Sequence, residues 1–385
     1  MDFQLSEENS LWRSTVHEFA AKEVRPGAAD GDREASLNAE AVRKMAAVGL
    51  LGLNIPEALG GAGVDAVGAA LAIEELGWAD GGTALTVAAH NGLGCAPIAL
   101  FGDPAHQKRW LPSLATGSRG LAALALTEPG GGSDLVGSVQ TRAERSGSDW
   151  LISGTKAWIT NASIAEVIVT LVRTDPQAGK HGFSLFVVPR ESAGLSVLPP
   201  EHKMGVRSSP THGLTYDKVR VPGDHLLGDP GEGLIQALQV LDGGRISIGA
   251  LSVGLARAAL EESLRYAQER PAFGVPIAQH QGIQFMVADA ATEIDAARWL
   301  VLHAAWLKAK GLPFTREAAQ AKLFASEAAE RVCRNAIQIL GSSGYSAEFP
   351  VERMYRDARL MTIGEGTSEI LRMVIARRLG EGVDR

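Results

Sequence analysis

Cysteine is scarce in this chain. Cys95 and Cys333 stand alone among 385 residues, with no CxxC pair, which excludes a disulfide framework and a thiolate zinc site. The nine histidines show no HExxH or other ligand spacing, so they read as core or surface residues and not as metal ligands. Positive charge is not in excess. The net charge of −7 argues against a nucleic-acid partner held by basic patches. No run approaches the roughly 18 apolar residues of a membrane span. The opening MDFQLSEENSLWRSTVHEF is acidic and lacks an apolar h-region, so neither a signal nor a transit peptide is expected. Walker A sequences, internal repeats and low-complexity segments are absent. The expectation is a cytoplasmic protein, and an Ala-, Gly- and Arg-rich composition points to a bacterium.

What is present is ordinary globular chemistry, 45% apolar and 21% charged, in a chain long enough for two or three domains. Periodicity divides it in three. Residues 1–120 read as helical: Ser6 is a candidate N-cap with Glu7 and Glu8 in the first turn, and Asn38 can cap the next helix. IPEALGGAG (55–63) interrupts the pattern. Residues 121–231 change to short β-branched runs, EVIVTLVRT, FSLFVVPR and LTYDKVRVP, with SGSD as a hairpin turn. Close turns without long helices predict an antiparallel β-barrel or sandwich. Residues 232–385 return to the helical period, with helices expected to about Pro271, over 281–310, over 315–340 and from about Thr367 to Gly380. Four such helices with short connections predict a bundle. The fold class is therefore α+β multidomain, ordered helical domain, β-domain, helical bundle.

Several stretches could carry chemistry. GGAGVDA (60–66) resembles a dinucleotide loop, but no strand precedes it, so a turn is the better reading. TEPGGGSD places Thr127 and Ser133 around a turn whose bare backbone can approach a ligand. WITN puts Trp158 and Thr160 two residues apart, on one side of a strand, where an indole could cover a flat ring and a hydroxyl could bond its edge. Trp158 taken alone reads better as a core residue. Arg270 stands at a helix terminus with Phe273 and Gln281 nearby, and could meet a pyrophosphate and adenosine; the alternative is a solvated charge. Near the end, TIGEGTSEI sets Glu365 between Gly364 and Gly366.

Taken together, MDFQLSEEN, IPEALGGAG, LTEPGGGSD, KAWITN, HKMGVRSSPTHGLTYDKVRVP, LDGGRISIG, ERPAFGVPIAQHQ, QILGSSGY and RDARLMTIGEGTSEILR make the chain similar, along nearly its whole length and in order, to the acyl-CoA dehydrogenase family. That resemblance implies an N-terminal helical domain, a middle β-barrel and a C-terminal four-helix bundle. It also implies FAD, held between the β-domain and the bundle. Leu124, Leu126, Thr127 and Ser133 would line the flavin and thioester region, with Trp158 and Thr160 against the ring. Arg270, Phe273 and Gln281, with Gln338, Ile339 and Gly341, would reach FAD from a neighbouring subunit, which requires at least a dimer, a tetramer being usual. Thr367 and Glu369 would touch FAD. Asp242, Gly244 and Arg245 would lie at the CoA side of the substrate.

The same resemblance makes Glu365 the base that takes the C2 proton of an acyl-CoA while hydride leaves C3, the electrons passing to an electron-transferring flavoprotein. Family branches that carry the base on the helix bearing Gly244 are excluded here, because glycine has no carboxylate. Two departures stand out. Gly341 is followed by Ser342 where a second glycine is usual, and Gly364 replaces a frequent tyrosine. With small Val87, Ala88 and Ala89 expected at the pocket floor, Gly364 points to a medium, long or branched acyl chain. The competing readings are an acyl-CoA oxidase, a flavin monooxygenase on the same fold, a dehydrogenase of carrier-protein-bound acyl groups, and a non-catalytic assembly protein.

Overall fold

Seven helices precede the first strand in the computed structural model, which describes residues 4–380. They are α1 (Glu7–Phe19), α2 (Ala28–Glu34), α3 (Ala39–Ala47), α4 (Ala66–Ala79), α5 (Gly81–Ala89), α6 (Ala96–Phe101) and α7 (Pro104–Thr116). The caps follow local chemistry. Ser6 Oγ accepts the Asn9 N–H at 3.1 Å, and Asn38 Oδ1 accepts the Ala41 N–H at 3.0 Å. GGAGVDA is a turn, since a Cβ on Gly61 would sit 2.0 Å from the Ile55 carbonyl, and Asp65 Oδ1 caps α4 through the Gly68 N–H at 2.8 Å.

The run 81–101, inside the region read as helical but with no helix delimited there, is continuous helix with a wider π-turn at His90–Cys95. It is long and apolar enough to cross a membrane, yet two-thirds of it is buried inside the protein, which marks it as a core helix. Its all-round apolarity left no periodic stripe to read.

The middle region is one eight-stranded sheet: β1 (Leu121–Ala125), β2 (Arg142–Ser146), β3 (Asp149–Thr160), β4 (Ala165–Arg173), β5 (Phe183–Pro189), β6 (Leu195–Pro200), β7 (Thr211–Val221) and β8 (Leu226–Leu227), with one short helix, α8 (Leu135–Ser138), before β2. The order is β6-β7-β3-β2-β4-β5-β8, with β1 against β4. Pairing is antiparallel except that β4 lies parallel to β1 and β2. The chain between β1 and β4 is long enough for that crossover. SGSD is the hairpin turn between β2 and β3. β4 is covered on both faces, by Ile168, Val172, Phe186 and Val188 on one side and by Val167, Val169 and Leu171 against α7 and the next long helix on the other. Its sequence is correspondingly a near-continuous apolar run, VIVTLV, interrupted only by the buried Thr170.

The C-terminal region consists of α9 (Gly233–Glu269), the small hairpin β9 (Pro271–Ala272) and β10 (Val275–Pro276), α10 (Gln281–Ala309), α11 (Thr315–Leu340), α12 (Val351–Met361) and α13 (Ser368–Gly380). α11 ends at Gly341, whose φ of 63° and ψ of −133° suit glycine. α12 adds a fifth helix to the expected four. Its polar sequence hides an amphipathic stripe, Val351, Met354, Ala358 and Met361, that is buried.

One core joins the first and last regions. It is crossed by a buried ion network in which Glu75 of α4 meets Arg13 and His17 of α1 and Arg257 of α9. Those partners hold the Glu75 carboxyl near 2 against its burial.

Candidate active site

Glu365 lies in the six-residue connection between α12 and α13, in left-handed backbone geometry with φ 54°, and Gly366 follows at φ 101°. The second value is glycine territory. Thr367 Oγ1 accepts the Ile370 N–H at 3.3 Å, so the loop closes as the cap of α13. The turn drives the Glu365 side chain inward. As a residue it is half-buried, but its Oε2 is shielded from solvent and has no hydrogen-bond partner. That oxygen lies against α9: a Cβ placed on Gly244 would sit 1.9 Å from Oε2 and 3.0 Å from Leu93 Cδ2. Gly244 is thus small because the carboxylate occupies its side-chain space. Burial pushes the Glu365 carboxyl up to about 7, opposed by the nearby cations Lys322 and Arg245.

The cations have defined seats. Arg245 is buried, pairs with Asp242 at 2.5 Å, and approaches Gly366. Asp242 Oδ2 accepts Thr315 Oγ1 at 2.6 Å, and burial raises the Asp242 carboxyl above its ordinary range. Lys322 of α11 donates to the Gly366 carbonyl at 2.7 Å. The structure therefore brings Asp242, Gly244 and Arg245 together with Gly364, Glu365 and Gly366.

A second group gathers on the β-domain. The Thr127 carbonyl accepts the Ala157 N–H at 2.9 Å, which fixes TEPGGGSD beside WITN. Beneath them Lys156 Nζ, fully buried, donates to the Leu126 carbonyl at 3.0 Å and pairs with Glu128 at 2.9 Å. Glu128 in turn accepts the Gln140 and Thr141 N–H groups. β3 loses regular register between Lys156 and Ile159, and Trp158 takes φ 61° there. Ile159 points inward, while Trp158, 58% exposed, and Thr160 stay on the open side. Ser133 is exposed and Leu124 half-buried. Leu126 differs from the expectation: its side chain is buried in the apolar core and its carbonyl is taken by Lys156, so it does not line an open surface.

A third group projects outward. Arg270, Phe273 and Gln281 are exposed around the β9–β10 hairpin, and Phe273, 97% exposed with φ 53°, meets only the His280 ring edge to face, at 5.9 Å between centroids. Gln338 and Gly341 are exposed at the end of α11. Ile339 is only 6% exposed and packs in the helical core, which leaves its main chain alone available to a ligand. Thr367 and Glu369 line a polar cleft of about 380 Å³ between α11, α12 and α13, together with Arg331, Arg334 and Arg359. Glu365 does not line it.

Lys322, Lys156 and Glu128 escaped the sequence reading. Lys322 left a signal, standing one turn from Ala318 and Ala325 on the buried face of α11, where a lysine is unexpected. Lys156 sits at the bulge, where alternation fails.

A buried carboxylate with an unpartnered oxygen, a bare glycine backbone beside it, and exposed aromatic side chains on the β-domain and hairpin suit a proton-accepting site beside an extended organic cofactor. Three family models match the chain: acyl-CoA dehydrogenase N-terminal domain over residues 6–118, middle domain over 123–219 and C-terminal domain over 231–380. The chain belongs to the acyl-CoA dehydrogenase family, FAD-dependent oxidoreductases of acyl-CoA thioesters. It is 51% identical to a probable acyl-CoA dehydrogenase, YngJ, of Bacillus subtilis, over 98% of this chain and 100% of that protein. It is 44% identical to the mitochondrial short-chain specific acyl-CoA dehydrogenase of Bos taurus, over 98% and 91%. Among solved structures, butyryl-CoA dehydrogenase from Megasphaera elsdenii superposes with a TM-score of 0.96 at 37% identity, over 98% and 100% of the two chains.

Proposed function

We propose that Glu365 is the base that removes the C2 proton when this enzyme dehydrogenates an acyl-CoA to the trans-2-enoyl-CoA. The observation that carries this is the buried, unpartnered Oε2. A carboxyl near 7 is partly ionised at neutral pH, so it can take a proton from carbon and later release it. The Glu365 N–H has no acceptor among the described residues, and Gly364 and Gly366 leave it uncovered. It is therefore free to donate to the thioester oxygen, where such a donor is typically worth about 3 kcal/mol in the transition state.

Bound FAD supplies the hydride acceptor for the C3 hydrogen. The fit is in the residues: the exposed Trp158 face and Thr160 for the ring system, Thr127 and Ser133 for its edge, and Thr367 and Glu369 nearer α13. Arg270, Phe273, Gln281, Gln338 and Gly341 serve the FAD of a second copy, which makes a dimer the minimum and a tetramer the assembly we infer. Asp242 and Arg245 stand on the CoA side. The domains run 1–120, 121–231 and 232–385. Electrons leave to an electron-transferring flavoprotein, and the enzyme works in the cytoplasm.

For the acyl chain, a Cβ on Gly364 would meet nothing closer than Leu360, at 3.7 Å. We read that space as room for an acyl group larger or more branched than the butyryl group for which the Megasphaera elsdenii enzyme is named. A panel of acyl-CoA thioesters with an artificial electron acceptor tests both statements. Turnover of CoA thioesters longer or more branched than butyryl-CoA is expected. A sharp optimum at butyryl-CoA refutes the roomy pocket, and no turnover of any thioester refutes the activity. Slow reoxidation of the reduced enzyme in air is expected of a dehydrogenase; rapid peroxide formation would make it an oxidase.

A further inference from the structure

Lys322 has no place in the chemistry assigned so far, yet it is among the largest fully buried side chains of the described residues. It lies two turns into α11, with Ala318, Ala319, Ala325 and Ser326 buried around it. A lysine in such a setting is costly unless its charge is used. Its ammonium has one hydrogen-bond acceptor, the Gly366 carbonyl at 2.7 Å. That carbonyl belongs to the residue after Glu365, at the point where the chain runs through two consecutive positive φ values. The charged groups that face the pair come from three helices. Arg245 on α9 is the second cation beside Glu365, while Glu327 on α11 and Glu369 on α13 face Lys322 from the other side. Lys322 and Arg245 both favour the ionised Glu365 carboxylate, and burial opposes it.

We propose that Lys322 is a positioning residue for the dehydrogenation: its ammonium ties down the Gly366 carbonyl, so holding Glu365 in its left-handed turn, and its charge offsets the burial of the Glu365 carboxylate. It acts through Glu365 and touches no substrate. The inference rests on the reading of Glu365 as base. It has a consequence at alkaline pH: burial lowers the Lys322 ammonium to about 8, so the tie weakens soon after the base is fully ionised.

The test uses the FAD-loaded enzyme and its Lys322→Met, Lys322→Gln and Lys322→Arg variants, with two readouts. One is infrared titration of the protonated Glu365 carboxyl band, assigned by its loss in Glu365→Gln. The other is the pH profile of flavin reduction by acyl-CoA under anaerobic conditions. Removing a nearby cation raises a carboxyl pKa, so Lys322→Met should move both the band and the ascending limb alkaline by at least about one unit, about a fivefold slower reduction at pH 7 and about tenfold at pH 6 and below. Lys322→Gln, which keeps a donor but no charge, should show the same shift, and Lys322→Arg should restore the wild-type position. An unmoved band and limb in Lys322→Met overturn the proposal. Should that variant fail to fold, equal titration of the Gln and Arg variants overturns it. Failure of the underlying reading looks different: Glu365→Gln would then still reduce its flavin at the wild-type rate, while the band would continue to report on Lys322.

Discussion

At the scale of single residues, Glu365 and Gly244 compete for one volume. The carboxylate reaches across from the α12–α13 connection to the place where any side chain at 244 would begin. Gly244→Ala should therefore displace Oε2, since 1.9 Å from a Cβ is impossible. The expected outcome is FAD retained, judged by absorbance, with flavin reduction slowed at least about tenfold for a misplaced base. As the proposed base, Glu365 acts in its ionised form, so the reduction rate of the unaltered enzyme should rise with pH through an ionisation near 7. A flat profile across that range would contradict the assignment.

TIGEGTSEI was legible because two glycines around one acid are chemically odd. Its partners were less so. Lys322 is one lysine in a helix rich in alanine, and only the three-dimensional seat shows that its amine points at Gly366.

Among elements, the clamp under the TEPGGGSD loop is decisive. Lys156 and Glu128 hold β3, the Leu126 carbonyl and the residues before β2 together in a dry setting. Breaking a buried pair leaves an uncompensated charge, typically about 3–5 kcal/mol. Lys156→Met should lower the melting temperature accordingly and loosen FAD, as measured by cofactor release on dilution. Lys156→Met with Glu128→Leu should recover part of the stability but not the FAD affinity.

The long helices were readable from period and stops: Gly311 follows the end of α10, and Gly341 ends α11. What escaped were the elements whose pattern tertiary packing erases or masks. α5 and α6, inside the region read as helical, are apolar all round and show no stripe to mark their bounds, α12 is polar in composition with a narrow apolar stripe, and β1 is the short run LAALA, which has no β-branched residue.

The whole molecule is held at a junction where three regions meet. The loop before β7 gives the Val206 N–H to Asp357 of α12 and the Ser208 hydroxyl to Asp80, which precedes α5. Arg356 pairs with Asp32 of α2. Burial and the Asp80 charge push the Asp357 carboxyl up to about 7. A folded-state value above 3.8 means the folded protein holds this proton more tightly than the unfolded chain does. The resulting stability is complete below 3.8 and is lost as pH rises through about 7, by up to about 4 kcal/mol. Asp357→Asn cannot ionise, so its stability relative to wild type should increase between about pH 5 and about pH 8, measured by denaturant unfolding at each. An unchanged difference would show that Asp357 does not titrate in this range.

The Glu365 carboxylate carries the proposed chemistry. Rapid mixing of the FAD-loaded Glu365→Gln variant with acyl-CoA, without oxygen and with flavin absorbance followed, tests it most directly. Retained FAD with reduction slowed by about two to four orders of magnitude is predicted for a lost proton-transfer group. Bleaching of the flavin at the wild-type rate would contradict it.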